Sequence, residues 1–492
     1  MSDHTGAPVR VGDPEGPRTL KDLSRAGRRA SSLPALDVEA AEIPEKHRRA
    51  ERPWLPEVAE RDLVSHYTRL AQRNYGVDTG FYPLGSCSMK YNPKVADVAA
   101  SMPGFARLHP HQPDSSAQGA LELLWRLEKA LCELTGMARA TFQPAAGASG
   151  ELTGLLLMRA FHERQGDVRR RVVIPDSAHG TNPASVRLAG YEVAEVPSDA
   201  RGLVDLSALE KLVDEDVAGL MITNPNTLGL FEEDILEIAR IMHDVGALLY
   251  YDGANLNAIV GRVRPGDMGF DIMHMNTHKT FATPHGGGGP GAGPVAVKGR
   301  LAPFLPKPVV QRSDDGRFYL DDDRPHSIGR IHGFNGNFGV LVRAYAYVFG
   351  HGGDGLREVG ERAVLNANYL ASRVKERFPL AYPGSPMHEF VSTARPLKKH
   401  GVRAMDVAKR LIDLGYYPST VYFPLIVEEA LMVEPTETES RETLDAFGAA
   451  LLSVADEAAT EEGQSRLHEA PLTAPVRRLD EAKAARQPKV RW

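Results

Sequence analysis

Hydrophobic and polar positions along the chain switch between a helical period and a strand period. Residues 117–135 set apolar side chains at helical spacing. Ala140-Thr141-Phe142 reads as a strand, and the small residues 145–149 open a second helix. Arg171–Pro175 (RVVIP) predicts a strand, 181–189 a helix, and 219–223 (GLMIT) a further strand. Residues 231–243 give the clearest amphipathic pattern. Phe231, Ile235, Ile238, Ala239 and Met242 share a face, Glu232, Glu233 and Asp234 acidify the first turn, and Gly246 closes the helix. The unbroken apolar run 247–251 (ALLYY) predicts a buried strand, and 271–275 and 294–297 add two more. Strands alternating with helices predict an α/β fold whose mostly parallel sheet is covered on both faces.

Around this core the sequence divides into an N-terminal arm (1–80), a large domain (81–350), a smaller C-terminal α+β domain (351–465) and a polar tail (466–492). The start of the arm is rich in Pro, Gly and Arg. Two helical stretches, 335–350 and 356–378, join the large domain to the small one. There is no internal repeat and no low-complexity tract.

Composition narrows the function classes. The 492 residues are 42% hydrophobic and 25% charged, enough for a substantial core. The formal net charge is -6 with both signs interspersed, which leaves no basic stripe for nucleic acid. No apolar run approaches the ~20 residues of a membrane span. Cys87 and Cys132 cannot form a disulfide framework, as expected of a reducing compartment. The basic stretch 25–30 is preceded by Asp3, Asp13, Glu15 and Asp22 and lacks an apolar core, unlike a targeting peptide. A cytoplasmic protein is expected.

In an open parallel sheet ligands sit beyond the carboxyl ends of the strands. The residues just past each strand are therefore informative. Asp252-Gly253-Ala254 follows 247–251, and Asn276-Thr277-His278-Lys279 follows 271–275. Ala145-Ala146-Gly147-Ala148-Ser149-Gly150 follows Phe142, Ser177-Ala178-His179-Gly180 follows Pro175, and Asn224-Pro225-Asn226-Thr227 follows Thr223. The set suits pyridoxal phosphate. That cofactor needs a lysine for its aldehyde, a carboxylate at its pyridine nitrogen and helix-start N–H groups for its phosphate. Lys279, Asp252 and Ala146–Ser149 fill these roles, with His179 as the imidazole against the ring. Lys279 runs into HGGGGPGAGP (285–294), where glycines let backbone approach the lysine closely and prolines stiffen the wall. Each residue alone has a plainer account: a surface lysine, an N-cap Asp, a structural histidine, a tight turn. No G-x-G-x-x-G opens a helix after the first strand, which disfavours a dinucleotide fold. The order of the whole set is the specific signal.

Seven stretches together resemble the P-protein family of the glycine cleavage system, glycine dehydrogenase (decarboxylating). They are FYPLGSCSMKYNPK (81–94), QPAAGASGELTG (143–154), PDSAHGTNPAS (175–185), TNPNTLGLFE (223–232), YYDGANLNAI (250–259), HMNTHKTFATPHGGGGPGAGP (274–294) and VYFPLIVEEALMVEPTETES (421–440). The match is to the second chain of the two-chain form. The resemblance implies a fold-type-I pyridoxal phosphate enzyme. It implies Lys279 as the Schiff-base lysine, Asp252 as the acid at the ring nitrogen and His179 over the ring, with Thr277 and His278 near the phosphate. Ala146, Gly147, Ala148, Ala254 and Asn226 are expected to line the cofactor. Ser86, Thr227 and His285 belong to the motifs without an assigned atom. Ser88 stands where threonine is expected, and keeps the hydroxyl. The implied reaction decarboxylates glycine and passes the aminomethyl group to the lipoyl arm of H-protein. A companion first subunit and an α2β2 assembly are implied with it, and the Pro- and Arg-containing stretch 1–60 is a candidate for wrapping that partner. The competing readings are another fold-type-I enzyme, such as an amino-acid decarboxylase or desulfurase, and a cofactor-free structural subunit.

Overall fold

The computed structural model describes residues 18–51, 53–286, 291–474 and 476–490. The middle of the glycine-rich run, 287–290, and the first residues of the expected arm lie outside them.

The chain divides into two units, one ending at Thr79 and one beginning at Gly80. In the first unit a helix spans Glu60–Ala71. The Arg25 N–H donates to the Glu57 carbonyl at 2.9 Å, the Gly27 N–H to the Glu57 carboxylate at 2.6 Å, and Arg28 pairs with Asp62 at 2.9 Å.

The second unit is built on a seven-stranded sheet. Its strands are β1 (Arg139–Thr141), β2 (Arg171–Pro175), β3 (Glu192–Val196), β4 (Val217–Thr223), β5 (Leu248–Gly253), β6 (Ile272–Met275) and β7 (Val295–Val297). The spatial order is β1-β7-β6-β5-β4-β2-β3. β7 runs antiparallel to both neighbours, and the other pairings are parallel. β1, β2, β4, β5 and β6 therefore point the same way, and their carboxyl ends share one edge.

Both faces of the sheet are covered, and strand periodicity shows how. In β5, Leu248 and Tyr250 enter one core while Leu249 and Tyr251 enter the other. Val172 and Ile174 likewise face away from Val173. An unbroken apolar run is thus the signature of a strand buried on both sides. The helix Gln118–Thr135 brings Leu127 and Leu131 to one face, and the helix Gly147–Arg164 brings Leu155 and Met158 to the other.

The helix expected from residue 231 starts later, at Ile235. The Glu232 N–H donates instead to the Asn224 side chain at 2.9 Å, so this segment is tied to the loop after β4. β3 is not predicted by the apolar pattern. It is the edge strand of its side of the sheet, and its burial alternates only partly.

β8 (Val309–Arg312) and β9 (Phe318–Asp321) form a hairpin. A long helix, Phe338–Val374, breaks at Gly352, whose φ of 62° and ψ of -176° separate its two halves. The halves match the two predicted helical stretches. The C-terminal region forms a small antiparallel sheet of β10 (Phe390–Thr393), β11 (Thr420–Val421) and β12 (Ala430–Val433), in the order β10-β12-β11. Its core holds Leu370, Val374, Val407, Leu411, Phe447 and Leu451. The helix Glu461–Glu469 crosses the expected start of the tail and adds Leu467 to that core. Phe81 also packs there, edge-on to Phe447 at 4.9 Å, and Leu84 bridges to Val433. The segment from Phe81 is therefore sewn to the small sheet, although in sequence it opens the expected large domain. Among the described residues no helix is long and apolar enough to cross a membrane.

Leu127 is fully buried in the larger core. Leu127→Ala should lower stability by about 2–5 kcal/mol, read as an earlier thermal unfolding midpoint. An unchanged midpoint would show that this helix does not carry the packing assigned to it.

Candidate active site

The five parallel strand ends converge as the sequence predicts. β6 ends at Met275, and the short helix Thr277–Thr280 carries Lys279 immediately after it. Lys279 is only 9% exposed. Among the described residues its ammonium has neither a hydrogen-bond nor an ion-pair partner, an unusual state for a buried amine.

Asp252 closes β5 and is 2% exposed. Its carboxylate accepts from the Asn182 side chain at 2.9 Å and from the Ala254 N–H at 2.9 Å. His274 Nε2 lies 3.2 Å away. Burial would raise the Asp252 carboxyl, but His274, Asn182, the Lys279 charge and the Ala254 N–H together hold it below the usual carboxylate range. Asp252 therefore stays ionised inside the protein. Glu151, behind it, is driven the other way by burial and by the Asp252 charge, against its bonds from Thr181 and Ser185. Asn182, His274 and Glu151 are not singled out by the sequence. Their only signal there is a place inside the motif stretches, with no feature to set them apart from their neighbours.

His179 sits beyond β2, open to solvent, its ring edge-on to Phe423 at 5.4 Å. Nδ1 accepts the Thr181 N–H at 3.2 Å, which places the proton of the neutral ring on Nε2. Enclosure by neighbouring atoms and then the Lys279 charge hold this imidazole below its ordinary pKa. His278 is pushed down to about 3 by burial, then by Lys279 and His285, and its ring meets His285 at 5.0 Å. His179, His278 and His285 are thus each held toward the neutral form.

The turn at Ala145–Ala148 opens the eighteen-residue helix Gly147–Arg164. Its N-cap, Ala146, is extended and offers no side-chain acceptor. The first N–H groups of this long helix are consequently left for an external anion. The glycine-rich segment explains the shape of this turn. A Cβ on Gly293 would come 2.1 Å from the Ala146 carbonyl oxygen, and the Gly293 N–H donates to the Pro144 carbonyl at 3.0 Å. Asn337 clamps the same place, donating to Gly291 O at 2.6 Å and to Ala145 O at 3.4 Å. Residues 291–294 therefore approach the helix-opening turn. The expected wall beside the lysine falls on 287–290, outside the described residues.

Two expected ligands have other duties. The Thr277 hydroxyl donates to Ala292 O at 3.1 Å and accepts from Thr283 at 3.1 Å, bracing the same segment. Asn226 donates to Gly202 O at 2.8 Å and accepts the N–H groups of Leu228 and Leu230, so its side chain holds its own loop. Thr227 donates to Ser177 O, linking the loops after β4 and β2. Cys87 lies near Lys279; burial raises its thiol pKa.

These residues fit pyridoxal phosphate on three counts. A buried lysine lacks a partner among the described residues, a buried carboxylate is held below the usual range, and a long helix presents uncapped N–H groups. Gly293→Ala should displace the turn at Ala146. Weaker cofactor retention by at least tenfold is expected, measured as the equilibrium between the apoprotein and added pyridoxal phosphate. Unchanged affinity would separate this turn from the anion site.

The sequence matches the family described as Glycine cleavage system P-protein over residues 30–318, and the one described as Glycine dehydrogenase, C-terminal domain, over 359–475. It is 57% identical to the probable glycine dehydrogenase (decarboxylating) subunit 2 of Caldanaerobacter subterraneus subsp. tengcongensis, covering 96% of this chain and 98% of that one. It is 56% identical to the protein of the same description from Bacillus licheniformis, with the same coverage. In fold it is similar to the crystal structure of an inhibitor-bound glycine decarboxylase (P-protein) of the glycine cleavage system. The TM-score there is 0.71 at 24% identity, covering 84% of this chain and 93% of that one. A near-full-length match at this identity, over an α/β scaffold of the expected design, makes the chain a member of the glycine cleavage system P-protein family.

Proposed function

We propose that the chain decarboxylates glycine and transfers the remaining aminomethyl group to the lipoyl arm of H-protein, as the lysine-bearing subunit of a two-subunit enzyme. The observation that carries this reading is the unpartnered, buried Lys279 set beyond the same sheet edge as the charged Asp252, in a chain of this family. Other fold-type-I activities share that pair, so family membership chooses the substrate. A cofactor-free role would leave the Lys279 amine and the Asp252 charge without purpose.

Lys279 is the residue that would hold the aldehyde of pyridoxal phosphate. Asp252 would face the ring nitrogen, and the N–H groups at Gly147, Ala148 and Ser149 would face the phosphate. When bound, the cofactor supplies an electron-poor ring that takes up the electron pair left as glycine loses CO2. Asp252 favours a protonated ring nitrogen because its own charge is fixed by Asn182, His274 and the Ala254 N–H. His179, whose Nδ1 accepts the Thr181 N–H, keeps its proton on Nε2, and its ring would lie against the cofactor. Lys279 Nζ, without a competing partner among the described residues, can carry a proton to and from the site.

The named relatives are second subunits, which supports a companion first subunit and an α2β2 assembly. The Pro- and Arg-containing arm at 1–60 is our candidate for wrapping that companion. A cytoplasmic location agrees with this reading.

The test is exchange of labelled CO2 into the carboxyl of glycine, with the companion subunit and lipoylated H-protein present. Exchange should need all components, and Lys279→Ala should abolish it while circular dichroism shows an unchanged fold. Substantial exchange in Lys279→Ala would refute the assignment. Cofactor bound at Lys279 with no exchange under any condition would point to a different amino-acid substrate.

A further inference from the structure

Three buried titratable side chains stand beside this site and have no part in it so far. His388 and Glu389 precede β10 and Glu434 follows β12. Because Phe390 pairs with Val433, the two glutamates fall next to one another. All three side chains are fully buried, with ligand-type atoms within 4.8 Å of each other. Glu434 accepts the Ser88 N–H at 2.8 Å and also the Ser88 hydroxyl. Glu389 accepts the Ser86 N–H at 2.7 Å and the Asn255 amide at 3.1 Å. Among the described residues neither ring nitrogen of His388 has a hydrogen-bond partner, and Nε2 lies 3.8 Å from Glu434.

The cluster lies close to Lys279. The loop bearing Ser86 and Ser88 continues to Lys90, which donates to Thr280 O at 2.9 Å, one residue past Lys279. Both serines sit at positive φ, 63° and 45°, a conformation L-residues rarely adopt. The two carboxylates hold the loop in that shape by accepting its N–H groups. The charged and titratable groups facing Glu389 are Glu434 and His388 from the small sheet, Ser86's neighbour Cys87 from the loop, and Lys279 from the short helix. Lys90 is already paired with Glu437 at 2.7 Å. Among the described residues no cationic side chain other than the uncharged-leaning His388 comes within ion-pair distance of either carboxylate.

Two carboxylates buried this close, without a counter-ion, cannot both ionise cheaply, so one retains its proton. His388 does not take it, because burial holds the imidazole below its ordinary value. Burial and then the Glu434 charge push Glu389 well above the carboxylate range, against the Ser86 N–H, Lys279 and Asn255.

We propose that Glu389 and Glu434 hold one proton between them, resting on Glu389, and that this buried acid protonates the sulfur released from the lipoyl disulfide. The proposal rests on the functional reading above. In that reaction the bond from the glycine α-carbon to its carboxyl carbon breaks and CO2 leaves. The electron pair ends in the new carbon–sulfur bond, the disulfide bond breaks, and the second sulfur departs with its pair. The two glycine carbons together are oxidised by two electrons and the disulfide is reduced by two. With glycine as its zwitterion and the aminomethyl product as an ammonium, each turnover consumes one proton. Glu389 gives that proton to the departing sulfur and recovers one from solvent.

The test uses the cofactor-loaded enzyme with its companion subunit. Infrared difference spectra should show a protonated carboxyl band in the wild type that is missing in Glu389→Gln. Aminomethyl transfer to lipoylated H-protein should fall ~100-fold or more in Glu389→Gln, with the resting cofactor absorption unchanged. Glu434→Gln removes the like charge, so Glu389 loses its proton at lower pH and the alkaline limb of the transfer rate moves to lower pH. Wild-type transfer in Glu389→Gln, a band that persists in it, or an unmoved limb in Glu434→Gln would overturn the proposal. So would a stoichiometric divalent metal in the purified wild type that Glu389→Gln loses. A band that Glu389→Gln removes, in a wild type inert toward H-protein, would instead overturn the functional reading and the sulfur as target, leaving the shared proton in place.

Discussion

One constraint governs the architecture: a carboxylate must stay charged where water cannot reach it. Asp252 is almost wholly buried, and burial alone would protonate it. The sheet supplies what opposes this. β6 sets His274 against Asp252 as its parallel partner. The helix after β2 brings Asn182, and the turn after β5 folds the Ala254 N–H back. The charge on Asp252 is thus a property of three strands and their connections, as is usual where a fold tunes a buried acid.

The same logic runs in the opposite direction a short way off. Glu151, one layer behind Asp252, and Glu389, below the small sheet, are both raised by burial and by a neighbouring like charge. Around Lys279 the site combines a carboxyl held low, the imidazoles of His179, His278 and His285 held low, and carboxyls pushed up. Groups separated in this way can serve as charge, donor and acid at one pH.

Much of this is legible in the sequence. The parallel strands show as unbroken apolar runs because both faces of the sheet are covered. Their ends carry Asp252, Lys279 and His179, and the structure brings these to one edge. The residues that are not legible act through partners distant in the chain. Asn182 meets Asp252 across 70 positions and Ser88 meets Glu434 across 346; no local period marks such pairs. β3 escapes the pattern because an edge strand half open to solvent lacks the apolar run of its neighbours. Asn226 and Thr277 are in the expected loops, but their side chains hold backbone in shape, a duty that type and position alone do not distinguish from ligand binding.

The turn at Ala145–Ala148 is held by residues 291–294 on one side and by Asn337, 192 positions beyond Ala145, on the other. Contacts so distant close late, after the loop entropy between them has been overcome. The anion seat proposed at this turn is therefore complete only once residues 291–294 and Asn337 have closed on it. A cofactor that binds only the finished seat stabilises the completed fold and no earlier state. Saturation with it reports that the chain has folded to the end.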